Sequence, residues 1–96
     1  MKAEYSKRAI ADLRKIDEYH IHGNDHEIAG ALEQRIRATI VRIARSPASG
    51  PAVVQRSGVR VAFVLRYRYK IFYRVMSDMI RIVHLRHTAR RPWEGE

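Results

Sequence analysis

The sequence predicts an α+β fold: a short N-terminal strand, a two-helix hairpin, and then a three-stranded antiparallel meander. Three observations carry this. Apolar residues recur at three- and four-residue intervals from Ala9 to Ile43, then at every second position from Val59 to Leu85. A Ser-, Pro- and Gly-rich stretch, 46–58, separates the two regimes. The later runs follow one another through short connections, which suit antiparallel neighbours. Ninety-six residues supply one modest core, so residues 1–96 are read as a single domain.

Met1, Ala3 and Tyr5 alternate with Lys2 and Glu4, a short edge-strand signal. Ser6 suits a helix N-cap, since its hydroxyl can accept from a free N–H of the first turn. Ala9, Ile10, Leu13, Ile16 and Tyr19 then form one helical stripe, with Arg14, Lys15, Asp17 and Glu18 opposite. His22-Gly23-Asn24 ends that helix, glycine being suited to a left-handed cap. Asn24 and Glu27 resemble a capping box for a second helix. Its stripe is Ile28, Leu32, Ile36, Ile40 and Ile43, and Ala29, Ala31 and Ala44 allow close helix approach. Ser46-Pro47 stops it near Arg45.

After Gly58, Val59, Val61, Phe63 and Leu65 alternate with Arg60, Ala62 and Val64. Tyr67 to Val75 reads as the next strand. Tyr67, Tyr69, Ile71, Tyr73 and Val75 share one face, while Arg68, Lys70 and Arg74 share the other with Phe72. Ile80 to Leu85 follows a Ser77-Asp78 turn. His87 to Glu96 has no clear period.

Charge is uneven. Residues 1–55 hold nine Lys/Arg against seven Asp/Glu; residues 56–96 hold ten against three, out of a net +9. The basic half calls for an anionic partner such as nucleic acid, a ribosomal surface or an acidic protein. With no cysteine, disulfides and thiolate metal sites are excluded, and a reducing cytoplasm is the expected location. Glu4, Lys7, Arg8 and Asp12 interrupt any secretory h-region, and no apolar run approaches a membrane span. His20, His22 and His26 are read as a solvated turn, with no metal and no cofactor expected.

Gly58-Val59-Arg60, Tyr69-Lys70-Ile71-Phe72-Tyr73-Arg74-Val75 and Ile82-Val83-His84-Leu85-Arg86-His87, in this order after a strand and a helical hairpin, resemble RelE/ParE-superfamily toxins of type II toxin–antitoxin systems. The closing Arg90-Arg91-Pro92-Trp93 looks more like the ParE branch. The resemblance implies a toxin held in a hetero-oligomer by a cognate acidic antitoxin of the ParD kind, whose complex can also contact nucleic acid. ParE-type members inhibit DNA gyrase; RelE-type members cut mRNA on the ribosome.

Cutting at a ribose 2′-hydroxyl requires proton removal, cationic stabilisation of phosphorane charge and a proton for the leaving oxygen. By resemblance, Arg60, Lys70 and Arg86 would stabilise charge and His87 would carry protons. Thr88 stands where the ribonucleases place an arginine, and no tyrosine follows Tyr73. A gyrase inhibitor needs complementary shape and charge instead, with no catalytic residue. Its partner-binding residues are expected among Arg60, Arg68, Lys70, Arg74, Arg86, Arg90, Arg91 and Trp93. Tyr69 and Tyr73 are read as core aromatics with their hydroxyls at the rim. The first reading is the gyrase inhibitor, the second an mRNA interferase, the third a plain nucleic-acid-binding module.

Overall fold

The computed structural model describes residues 1–23 and 26–89, with the backbone alone at 21 and 22. The elements are β1 (Lys2–Tyr5), α1 (Lys7–His22), α2 (His26–Arg45), a 3-10 turn (Pro47–Ser49), β2 (Val59–Val64), β3 (Tyr69–Val75) and β4 (Met79–His87). The sheet order is β1-β4-β3-β2. β2, β3 and β4 form the expected meander, and β1 joins it parallel to β4, from Lys2↔Met79 to Tyr5↔Ile82. No helix among the described residues is long and apolar enough to cross a membrane.

Ser6 caps α1 as its chemistry predicts, its Oγ accepting from the Ala9 N–H at 3.0 Å. Asn24 lies outside the described residues. Gly23 is not left-handed, correcting the predicted cap; Gly58, with φ of 77°, is the glycine that uses that freedom. On α2 the buried stripe is Ala29, Leu32, Ile36, Ile40 and Ile43, while Ile28 is exposed. These residues pack with Ala9 of α1 and with Ala62, Val64, Ile71, Tyr73, Ile80, Ile82 and Leu85 of the sheet.

Two strand readings change. β3 starts at Tyr69, because residues 65–68 form the hairpin turn, with Arg66 and Arg68 both at positive φ (77° and 55°). Alternation in hydrophobicity cannot register that conformation in non-glycine residues. On β2 the helix-facing side chains are Ala62 and Val64, whereas Phe63 and Leu65 are exposed. The smaller residues fit beneath α2, and Val59 and Val61 instead join Phe72, Val53 and Val83 in a second cluster on the outer face.

β4 contains a register shift. Phe72 pairs with His84 but Tyr73 pairs with Ile82, so Val83 is the extra residue of a bulge. The bulge changes the side-chain phase. Ile80 and Ile82 point into the core before it, and Leu85 does so after it.

Candidate partner-binding surfaces

The bulge brings four cations into two cross-strand pairs on β3 and β4: Lys70 registers with Arg86, and Arg74 with Arg81. Between these pairs Phe72 and His84 stack, with ring centroids 5.8 Å apart and planes at 19°. Like charges placed directly opposite destabilise a sheet by a few tenths of a kcal/mol, on the order of 0.2–1. Arg81 also faces Glu4 of β1 at 3.7 Å, but both side chains are 44% exposed, so the ion pair adds little. An Arg74 Nη1 donates to the Ser57 carbonyl at 3.0 Å, holding the loop before β2.

Arg60 does not belong to this face. It registers with core-facing Tyr73. Its Nη1 donates to the Gly50 carbonyl at 2.7 Å and the Ala48 carbonyl at 3.3 Å. Its position is thus a loop clamp beneath the end of α2, which explains a cation in the apolar half of β2. Arg68 is also displaced from the basic wall, since it sits exposed in the 65–68 turn, its carbonyl accepting from the Thr88 N–H at 2.7 Å. Arg90, Arg91 and Trp93 lie outside the described residues. The four residues of the ribonuclease reading are therefore divided. Lys70 and Arg86 share a register position, Arg60 faces the opposite way, and His87 registers with Tyr69. The His87 Nδ1 accepts from the Ala89 N–H at 3.1 Å, and its ring meets Tyr69 edge-on at 5.2 Å.

The junction of α1 with β4 escapes a linear reading. β1 ends opposite Ile82, and the polar groups of α1's first turns take over that strand edge. The Ser6 N–H donates to the Ile82 carbonyl at 2.9 Å and its hydroxyl to the Val83 carbonyl at 2.9 Å. Asp12 accepts from the Leu85 N–H at 3.0 Å and bonds the His84 Nδ1 at 2.6 Å. His84 is buried, and burial pushes its pKa below the ordinary value despite the opposing hydrogen bond and charge of Asp12; Arg8 and Arg86 add to the lowering. The available signal was a histidine standing inside the apolar run Ile82-Val83-His84-Leu85. Such a residue needs a partner, and Asp12 stands next to Leu13 of the α1 stripe.

On the other flank of α1 an open groove of about 490 Å³ runs between the helices. Leu13, Ile16, Leu32 and Ile36 line it, with Arg14 and Glu33 among the charged residues beside them. Among the described residues no group of three His, Cys, Asp or Glu is placed to hold a metal.

A parallel N-terminal strand, a helical hairpin and an antiparallel meander define an α+β protein of the ParE-like fold class. The model of the family described as the ParE toxin of the type II toxin–antitoxin system parDE matches residues 3–92, and the chain belongs to that family. A solved structure described as the chromosomal ParDE TA system from P. aeruginosa has a TM-score of 0.77 and 20% identity to it. That match covers 91% of this chain and 95% of that chain, and at this identity the likeness is one of fold. No curated protein matches.

Proposed function

We propose that this type II toxin is neutralised by a cognate acidic antitoxin and that, when released, it inhibits DNA gyrase without catalysing a reaction. The cross-strand pairing of Lys70 with Arg86 and of Arg74 with Arg81 carries the antitoxin half of this reading. Such an arrangement costs stability in the free protein, and an acidic segment laid across it would relieve the repulsion. The interhelical groove complements it. Its apolar floor of Leu13, Ile16, Leu32 and Ile36 suits one face of an amphipathic helix.

Membership of the ParE family supports gyrase as the target. The division of Arg60, Lys70 and Arg86 between opposite faces speaks against a shared phosphate-cleaving site. The deciding experiment expresses the chain alone in growing cells and follows plasmid supercoiling and protein synthesis together. Loss of supercoiling should come first, with translation continuing. Arrest of translation ahead of any change in supercoiling would replace the gyrase reading with the mRNA interferase. A His87→Ala variant should keep full toxicity, because an inhibitor has no need of that proton carrier.

A further inference from the structure

A second cleft of about 620 Å³ lies between α1 and the last residues of β4. Its volume falls within the roughly 300–1,000 Å³ range of small-molecule sites. Arg8 and Lys15 line it from α1, and Arg86 and His87 line it from β4, so cations from two elements border one space. Among the described residues of its lining the one carboxylate is Asp12, which is bonded to the His84 ring and the Leu85 N–H. Arg8, Lys15 and Arg86 outnumber it, so the described lining is basic on balance and suits an anion.

Charge is half of the chemistry. Tyr19, 75% exposed, stands in the lining, and Tyr69 and His87 meet edge-on within it. Flat aromatic faces beside a cationic wall accept a planar heterocycle irrespective of its identity. The Nε2 of His20, a residue that lines both this cleft and the interhelical groove, is buried with no hydrogen-bond partner among the described residues. A buried nitrogen in that state calls for a polar ligand group or a water. An acidic peptide would use the cations but leave the aromatic surfaces without purpose. A ligand joining phosphate to a hydrogen-bonding ring uses every part.

We propose that the cleft between α1 and the end of β4 binds a nucleoside phosphate, free or at the end of a polynucleotide. Its phosphate lies among Arg8, Lys15 and Arg86, and its base lies against Tyr19. This site adjoins the interhelical groove across Ile16 and His20, which line both, but its cations and Tyr19 belong to this cleft alone, and it stands whether or not gyrase is the toxin's target.

The test titrates the isotopically labelled full chain with 5′-AMP, adenosine, inorganic phosphate, and oligoadenylate with and without a 5′-phosphate, following amide chemical shifts. Saturable shifts should concentrate on α1 and on residues 84–89, and AMP should bind at least tenfold more tightly than adenosine or phosphate alone. Lys15→Glu and Tyr19→Ala, both at exposed positions, should each weaken AMP by at least fivefold, while Arg37→Glu in the other groove leaves it unchanged. Tighter binding of the phosphorylated oligonucleotide than of AMP would support the site and identify a chain end as its source; the reverse order would support a free nucleotide. The proposal is overturned by an absence of saturable binding or by equal affinity for AMP and adenosine. Shifts centred on Lys70 and Arg74, or displacement of AMP by an oligoglutamate peptide at equal charge, would overturn it as well.

Discussion

A single tyrosine ties the helical layer to the sheet. Tyr73 is fully buried; its hydroxyl donates to the Pro47 carbonyl at 2.8 Å and accepts from the Gly50 N–H at 3.1 Å. Gly50 is required there because a Cβ would collide with that hydroxyl and with the Val61 carbonyl. Tyr73→Phe should therefore cost about 1–3 kcal/mol, since it strands a buried N–H, and urea unfolding of the isolated chain measures it. His84 gives the residue scale a pH dependence. Its folded-state pKa lies below the ordinary value of 6.5, so the unfolded chain takes up the proton first as pH falls. The stability contributed by neutral His84 is complete above pH about 6.5 and is lost as pH drops through that value toward the folded one. Melting temperature should fall between pH 7.5 and 5, and the fall should shrink in His84→Gln. An unchanged fall would assign the effect to other groups.

Two irregularities decide how the elements present the site, and they differ in how far the sequence reveals them. The turn before β3 holds Arg66 and Arg68 at positive φ without glycine, asparagine or aspartate among residues 65–68. Arg68→Gly should stabilise the fold by about 0.5–1 kcal/mol, reversing the usual penalty for glycine, because the left-handed strain exceeds the added chain entropy. Calorimetry of the variant provides the check. The order of elements, the Ser6 cap and the Leu32-Ile36-Ile40-Ile43 stripe were legible because each rests on short-range periodicity or local hydrogen bonding. The bulge at Val83 left one trace, the adjacent apolar pair Ile82-Val83, and its consequence depends on register with β3. Arg60 misleads for a related reason: its clamp partners, Ala48 and Gly50, come from the loop after α2. The Asp12–His84 bond spans 72 positions, beyond any local pattern.

For the whole molecule, the division of charge along the chain becomes a division of labour in space. The nearly balanced first half builds the helical hairpin and its apolar groove, and the basic second half builds the cationic sheet. These surfaces should affect different steps of antitoxin capture. Long-range attraction governs encounter and is screened by salt over about 8–10 Å, whereas desolvated apolar contacts govern escape. Surface plasmon resonance with the cognate antitoxin separates them. Lys70→Glu with Arg81→Glu should lower the association rate constant about tenfold at low salt and flatten its ionic-strength dependence, with dissociation changed by less than about threefold. Leu13→Asp, on the groove floor, should leave association nearly unaltered and speed dissociation by about tenfold or more. An association rate indifferent to salt in the unmodified toxin would remove the sheet cations from recognition. Equal effects of both variants on dissociation would mean that the antitoxin seats the sheet and groove as one continuous, desolvated interface.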